Sequence, residues 1–185
     1  PGELTVIVNT GDDFSHCGLQ ICPDVDTVIY TLAGVANPET GWGRIDESWQ
    51  VLEERGKLGG EAWFRLGDKD LALHLERTHR LAEGDSLSAV VDWQRRTFGV
   101  EHQVVPMSNQ PVRTQVLTAE SGTLDFQEYF VHQHCAPRVT GFEFLGAEVA
   151  LPTPGAAEAI RAAELVVICP SNPWVSIAPI LAVKG

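Results

Sequence analysis

The chain has 185 residues, 44% of them hydrophobic, which is enough for one domain with one core. Its 13 Lys and Arg against 25 Asp and Glu give a net charge of −12, so the basic footprint of a general nucleic-acid or anionic-membrane binder is missing. No apolar run approaches the roughly 18 residues of a membrane span. The scattered cysteines are typical of a cytoplasmic protein with reduced thiols: Cys17, Cys22, Cys135 and Cys169.

Strands and helices alternate in the first half of the chain. Residues 4–9 (LTVIVN) form an apolar, β-branched run that predicts a strand buried on both faces of a parallel sheet. Pro23 then begins a predicted helix of about ten residues, which ends near Gly34. Three more helices are predicted over residues 47–55, 70–82 and 86–98, closed by Gly56, Gly84 and Gly99 respectively.

The second half contains more strands. Residues 113–119 and 122–126 predict a hairpin, and shorter strands are predicted over 102–106 and 142–145. An alanine-rich helix over 156–163 precedes residues 164–169 (ELVVIC), which again predict a buried parallel strand. This order of elements predicts a single three-layer α/β domain, residues 1–185, with a mainly parallel sheet.

Four carboxylates surround the turn that follows the first strand: Asp12, Asp13, Asp24 and Asp26. Ligands of open α/β sheets bind beyond the carboxyl ends of the strands, and Gly11 permits a tight turn there. Oxygen-only ligands suit Mg²⁺, which typically takes one or two carboxylates and completes its shell with water and phosphate. The alternative is structural, with these side chains capping a helix or a turn.

Two other stretches are candidate binding motifs. Ser171, Asn172 and Pro173 follow the last predicted strand, where backbone N–H groups at a helix start can bind an anion, although an ordinary loop is equally compatible. Arg65 and Lys69 lie beside a turn and can grip phosphate, or else pair with neighbouring acids. Nearby aromatic residues can stack on a planar ring: Trp42, Trp63 and Phe64. No hydrolytic nucleophile motif and no Walker loop occurs.

Several long, ordered blocks resemble one family. They are VNTGDD (8–13), CPDVDTVIYTLAG (22–34), GWGR (41–44), WFRLGDKDLALHLERT (63–78) and PSNPWVSIAPIL (170–181). These blocks are similar to the phospholactate or phosphoenolpyruvate transferases that make the deazaflavin coenzyme F-420. The resemblance covers essentially the whole chain.

The resemblance implies a Rossmann-like, magnesium-dependent, homodimeric enzyme. Such an enzyme takes phosphoenolpyruvate or 2-phospholactate linked to guanosine diphosphate, transfers the phosphorylated acid to the terminal hydroxyl of the deazaflavin Fo, and releases GMP. The GWGR block is similar to actinobacterial members, which favour phosphoenolpyruvate.

The family's functional residues carry over block by block. The resemblance implies that Asp12, Asp13, Asp24 and Asp26 hold the metal and the attacking end of Fo, with Asp13, ahead of Asp26, as the proton acceptor. Asn9, Thr10 and Gly11 are expected to contact the substrate together with them. Ser171, Asn172 and Pro173 are expected on the guanylate side, and phosphate contacts are expected from Arg65, Gly67, Asp68 and Lys69.

One departure concerns the ends of the chain. Family members open with a strand and a glycine-rich loop that cradles the nucleotide phosphates, and they continue well beyond residue 185. We therefore expect this chain to be a fragment that lacks both parts.

Two competing functions have different sequence signatures. Non-catalytic nucleotide-sugar-binding regulators of the gluconeogenesis-factor type share the fold and an Asp-Asp turn, but carry Ser-Ser-Gly-Arg after it, where this chain reads Phe14-Ser15-His16-Cys17-Gly18. A dinucleotide-dependent oxidoreductase would need a GxGxxG motif after a strand, and the sequence has none.

Overall fold

The computed structural model describes residues 3–184. The strands are β1 (Thr5–Val8), β2 (Phe14–His16), β3 (Leu19–Ile21), β4 (Gln103–Pro106), β5 (Arg113–Thr118), β6 (Gly122–Asp125) and β7 (Val139–Leu145). The helices are α1 (Pro23–Leu32), α2 (Gln50–Lys57), α3 (Asp68–Ala82), α4 (Leu87–Thr97), α5 (Ala156–Ala162) and α6 (Ala178–Ala182), with π-helical turns at Glu128–His132 and Pro173–Ile177.

The first core lies around β1. This strand pairs in parallel with β4, from Thr5 opposite Gln103 to Val8 opposite Pro106. Helices α1 and α4 both contact this pair, and their side chains form one buried cluster with it: Val8, Val25, Ile29, Val91 and Val104. The apolar run at residues 4–9 and the helix beginning at Pro23 are therefore confirmed, and the run folds as a strand because it can bury side chains against both helices.

A second sheet is antiparallel and has the order β6-β5-β7. The hairpin predicted from residues 113–126 is confirmed, and the strand predicted at 142–145 begins earlier, at Val139. The register shifts between Leu117 and Thr118, where β7 leaves the regular ladder. The α/β class with a parallel pair of strands is confirmed, but among residues 3–184 parallel pairing is confined to β1 and β4.

Helix α2 occupies a different range from the one predicted. It spans Gln50–Lys57, so Gly56 lies inside the helix instead of closing it. The Asp68 carboxylate accepts hydrogen bonds from the backbone N–H groups of Gln50 and Val51, both at 3.1 Å. This distant side chain supplies the N-terminal cap, and local sequence patterns do not reveal a cap from another element.

The hairpin formed by β2 and β3 was not predicted. Its turn consists of Cys17 and Gly18, both with positive φ angles, of 54° and 77°. A two-residue turn of this kind joins twisted antiparallel strands without splaying them. The short strands place His16 against the α3 side of the molecule, next to Trp63.

The prediction of a buried parallel strand at residues 164–169 is wrong. This segment contains no strand, and Leu165 is 78% and Val167 69% exposed. The described part of the chain places no strand beside it, so its apolar side chains have nothing to pack against. Strand formation requires a hydrogen-bonding neighbour as well as β-branched residues.

No helix within residues 3–184 is both long and apolar enough to cross a bilayer.

Candidate functional site

The turn after β1 is built by close packing around Gly11. A Cβ atom at Gly11 would lie 2.7 Å from Thr114 Oγ1 and 2.9 Å from Asn9 Oδ1, so no larger side chain fits. The Gly11 N–H donates to Asn9 Oδ1 at 2.8 Å, and the Gly11 carbonyl accepts from the Thr114 N–H at 2.7 Å. The turn is thereby fixed to β5, and the residues after it are held in one position.

Asn9 joins the two ends of the chain. Its Nδ2 donates to Asp24 Oδ2 at 2.8 Å and to the Val175 carbonyl at 3.3 Å. Asn172 in turn accepts the N–H groups of Trp174 and Val175 on its side chain, at 2.9 and 3.3 Å. The block at 8–13, the start of α1 and the block at 170–181 therefore meet at one place, as the sequence predicts.

A cavity of about 850 Å³ opens beside this junction. We call the polar and acidic residues of its lining the acidic wall: Asp12, Asp24, Asp26, Asp70 and His74. We call the aromatic residues of the lining the aromatic walls: Tyr30, Trp42, Trp63, Phe64, Phe126, Tyr129, Phe130 and Phe142. A cavity of this size, mostly apolar with a few convergent polar groups, is typical of a site for a small organic ligand.

Three buried carboxylates keep one oxygen without a hydrogen-bond partner: Asp12 Oδ1, Asp13 Oδ1 and Asp26 Oδ2. Asp12 and Asp26 line the cavity, whereas Asp13 lies outside its lining and is 5% exposed. Buried polar atoms are nearly always paired, so such orphaned oxygens indicate where a cation or a ligand hydroxyl would be bound.

The four aspartates do not form a ready-made metal cluster. Among residues 3–184, no three His, Cys, Asp or Glu side chains are grouped so that they could hold a metal ion, and Asp24 already accepts the Asn9 amide. The free oxygens of Asp12 and Asp26 nevertheless fit Mg²⁺, which needs only one or two protein carboxylates when water and phosphate complete its shell.

Burial changes the protonation of these acids. Desolvation, followed by the charges of Asp24 and Asp13, raises the pKa of Asp12 to about 8. Desolvation raises the pKa of Asp13 to about 7, against the opposing effect of the neighbouring Cys22, Arg113 and Arg77. Without a bound cation, these carboxyls are therefore poised to take or release a proton near neutral pH.

Behind Asp26 lies a buried ion pair. The Arg77 guanidinium donates to Asp26 Oδ1, and Gln94 Nε2 donates to the same oxygen at 2.7 Å. Arg77 also donates to His74 Nδ1 at 3.2 Å; since Arg has no acceptor, this nitrogen is unprotonated. Burial lowers the pKa of His74 to about 4, so the ring is neutral at neutral pH and the Asp26 contact at 3.8 Å is no salt bridge there.

Aromatic contacts join the walls of the cavity. The rings of Trp63 and His132 stack with centroids 5.1 Å apart, and this connects the loop before α3 to the π-helical turn at Glu128–His132. Trp63 also meets His16 edge-on at 5.4 Å. Arg65 lines the cavity while its guanidinium lies 4.4 Å from the centre of the Trp49 ring.

Several predicted site residues have structural contacts instead of facing the cavity. Gly67 packs against Glu47, Asp68 caps α2, and the Lys69 ammonium donates to the Ile45 carbonyl at 3.1 Å. The remaining predicted residues outside the lining are Asn9, Thr10, Gly11, Asp13, Ser171 and Pro173. Of the predicted set, Asp12, Asp24, Asp26, Arg65 and Asn172 line the cavity together.

Helix α3 contributes functional candidates that sequence patterns missed. Asp70, Leu73, His74 and Arg77 are its buried residues, at the spacing of one helix face. The buried face of an amphipathic helix is normally apolar, but three of these residues, Asp70, His74 and Arg77, are polar. This exception in the sequence pattern could have identified them. Tyr30 adds to them, because its hydroxyl donates to Asp70 Oδ1 at 2.8 Å on the cavity wall.

Comparison with solved structures supports the fold. A member of the UPF0052 family from Bacillus halodurans matches the whole chain with a TM-score of 0.63 at 19% sequence identity, and the match covers 56% of that protein. At this identity, the similarity establishes the α/β fold and nothing about activity.

Sequence comparisons identify the family. A phosphoenolpyruvate transferase from Kitasatospora aureofaciens is 46% identical over 99% of this chain and 58% of its own length, and one from Thermobifida fusca is 43% identical over 100% of the chain and 59% of its own length. The chain thus spans somewhat more than half of these relatives. The family model of 2-phospho-L-lactate transferase CofD matches residues 1–185, and the chain belongs to that family.

Proposed function

We propose that the complete protein transfers a phosphoenolpyruvyl group from a guanosine diphosphate-linked donor to the terminal hydroxyl of the deazaflavin Fo and releases GMP, a step of coenzyme F-420 biosynthesis. The observation that carries the proposal is a cavity whose lining combines buried carboxylates with many aromatic rings. Family membership and the names of the relatives support the transferase class.

The aromatic walls suit the acceptor. A deazaflavin is a planar, conjugated ring system with a flexible hydroxylated chain. Trp42, Trp63 and Phe64 offer ring faces and edges for stacking, and the cavity volume of about 850 Å³ is in the range of sites for ligands of this size. In this arrangement, the hydroxylated chain extends toward Asp12 and Asp26.

The acidic wall suits the chemistry. The Fo hydroxyl oxygen attacks the phosphorus that carries the enolpyruvyl group, the bond from that phosphorus to the GMP oxygen breaks, and the hydroxyl proton passes to a carboxylate. Asp12 lines the cavity, and the oxygen of its carboxylate that does not bind the cation is the proposed acceptor. Asp13 was the expected acceptor, but it lies outside the cavity lining.

Mg²⁺ is the proposed cofactor, with the free oxygens of Asp12 and Asp26 as its ligands. When bound, the ion supplies charge neutralisation for the phosphoryl oxygens. Asn172 and Arg65 line the same cavity and are the proposed contacts of the donor phosphates. Homodimer formation, implied by the family resemblance, remains a proposal that light scattering of the purified protein tests.

The test uses the complete protein, Fo and each activated donor, with products identified by mass spectrometry. We expect the enolpyruvyl product from the phosphoenolpyruvate-linked donor. Asp12→Asn is expected to reduce the turnover rate about 10²–10⁴-fold, the usual loss for a proton acceptor. Glu148→Gln, at an exposed carboxylate remote from the cavity lining, serves as the control. Absence of any Fo-containing product with either donor would overturn the proposal.

A further inference from the structure

We propose that Arg77 is a positioning residue of this site: it holds Oδ1 of Asp26 so that Oδ2 stays unpaired and available to the cation. The inference rests on the proposed function, since it assumes that the acidic wall binds a divalent ion. It assigns a role to a residue that makes no contact with the cavity itself.

The contacts of Asp26 divide its two oxygens. Oδ1 accepts both the Arg77 guanidinium and the Gln94 amide, whereas Oδ2 has no hydrogen-bond partner. Asp26 is only 6% exposed, and it lines the cavity. The carboxylate is therefore held through Oδ1, while Oδ2, which is also buried, is unpaired and lies 3.8 Å from His74 Nδ1.

The environment of Arg77 is fully enclosed. Its side chain is 0% exposed. Nη1 donates to the Gln20 carbonyl at 3.3 Å, and Nη2, which donates to Asp26, also donates to Gln94 Oε1 at 3.2 Å. Gln94 therefore donates to Asp26 and accepts from Arg77, and the three side chains form a closed triangle. Such a triangle leaves the Asp26 carboxylate little freedom to rotate.

Burying the charge of Arg77 costs free energy, and stability alone does not explain why the Arg77–Asp26 pair is present. An apolar residue of similar volume generally stabilises a core at least as well as a buried ion pair. The second buried arginine, Arg95, shows a structural use of such a residue: it pairs with Asp92 and donates to the Val100 carbonyl at the end of its own helix, outside the cavity lining. Arg77 instead contacts the carboxylate of Asp26, a residue of the cavity lining that keeps one oxygen unpaired.

A role in positioning and a role in balancing charge predict different effects of Arg77→Lys. If Arg77 only neutralised the acidic wall, lysine, which keeps the positive charge, would leave cation binding unchanged. If it positions Asp26, a lysine that keeps the charge but cannot bridge Asp26, His74 and Gln20 with a planar fork would weaken cation binding.

The experiment measures Mn²⁺ binding to the protein by electron paramagnetic resonance, with folding followed by circular dichroism. Arg77→Lys is expected to weaken Mn²⁺ binding about 10–100-fold, as is usual when a residue supporting a metal ligand is changed. Gln94→Met, which removes one donor to Asp26 and keeps Arg77, is expected to weaken it less. Arg95→Lys is the matched control and should bind Mn²⁺ like the parent protein.

The outcomes separate this inference from the proposed function. If Arg77→Lys does not fold, Gln94→Met decides, and unchanged Mn²⁺ binding in that variant overturns the positioning role. Equal or tighter binding by folded Arg77→Lys overturns it as well, while the proposed cation site stands. If the parent protein binds no Mn²⁺, the cation site fails, and this inference fails with it.

Discussion

Asp12 lies at the boundary between the buried turn and the cavity, and its protonation depends on that position. In the absence of a cation, its pKa of about 8 means that the folded protein retains a proton there at neutral pH. Asp13, with a pKa of about 7, behaves similarly. Folding is therefore coupled to proton uptake at these two carboxyls.

The coupling predicts how stability changes with pH. Between pH 6.5 and 8 the unfolded chain has released these protons, because the ordinary carboxyl pKa is 3.8, while the folded state keeps part of them. The free energy of unfolding therefore falls as pH rises, by at most about 1.4 kcal/mol per pH unit for each carboxyl. His74 acts in the opposite direction, because burial lowers its pKa from 6.5 to about 4, and its effect fades as pH rises above 6.5.

Chemical denaturation at pH 6.5 and pH 8 without divalent ions measures this dependence. Asp12→Asn should remove part of the fall, and Glu148→Gln, at an exposed carboxylate, should leave it unchanged. A parent protein that is equally stable at both pH values would show that Asp12 and Asp13 are already ionised in the fold.

Replacing glycine by alanine is expected to have opposite effects on the stability of the fold at Gly11 and at Gly56. Gly11→Ala should destabilise the fold by about 1–3 kcal/mol, because the new methyl group overlaps Thr114 and Asn9. Gly56→Ala should stabilise it by about 0.5–1 kcal/mol, because Gly56 lies exposed inside α2 with nothing near the added methyl. Thermal unfolding of both variants checks the pair, and a stabilising Gly11→Ala would contradict the packing at the turn.

The sequence singles out the acidic residues as site candidates but does not give their orientation. Asp12 and Asp13 are adjacent, and which of them faces the cavity depends on how Gly11 is packed against β5, a contact between distant parts of the chain. Arg77 and Gln94 were missed because their roles arise only when α3 and α4 are brought to Asp26.

At the level of elements, the cavity depends on aromatic contacts between segments distant in sequence. The Trp63–His132 stack connects two walls that no strand pairing joins. A ring system inserted beside it would gain stacking area, so Trp63 is expected to matter for the acceptor and not for the cation.

This expectation gives a selective prediction. Trp63→Ala should weaken Fo binding about tenfold, in line with roughly 1–3 kcal/mol for one stacked ring, and should leave Mn²⁺ binding unchanged. Trp93→Ala is the matched control, because Trp93 packs under Arg80 outside the cavity lining. Calorimetry with Fo measures both variants, and equal Fo affinity of the parent and Trp63→Ala would remove this ring from the acceptor site.

Local sequence patterns predicted most of the helices and strands, because the apolar residues that define these patterns around β1 are also the residues that form the core. The run at residues 4–9 and the helix from Pro23 follow apolar periodicity and a proline start. The segment at 164–169 has an equally strong pattern but no neighbouring strand in the described part of the chain. The sequence pattern therefore identified residues 164–169 as able to form a strand, but it could not show whether another strand lies beside them.

For the molecule as a whole, the exposed apolar segment at residues 164–169 is expected to cause self-association. Leu165, Val166, Val167 and Ile168 are all more than half exposed, and extended apolar segments with free backbone groups tend to pair with other chains. A protein that consists of residues 1–185 should therefore self-associate as its concentration rises. Val167→Lys should reduce this association in light scattering, whereas Leu181→Lys, an exposed position on α6, should reduce it less. Equal scattering from parent and Val167→Lys would exclude the segment as the cause.

Trp42 and Trp63 line the cavity and are two of the five tryptophans of the chain. A coloured, conjugated guest beside them would quench their fluorescence by energy transfer, whereas Trp93, which packs against Arg80 outside the cavity lining, would respond less. The tryptophan fluorescence of the unlabelled protein therefore reports whether the cavity is occupied, so that the affinity for the acceptor can be measured by titration in solution.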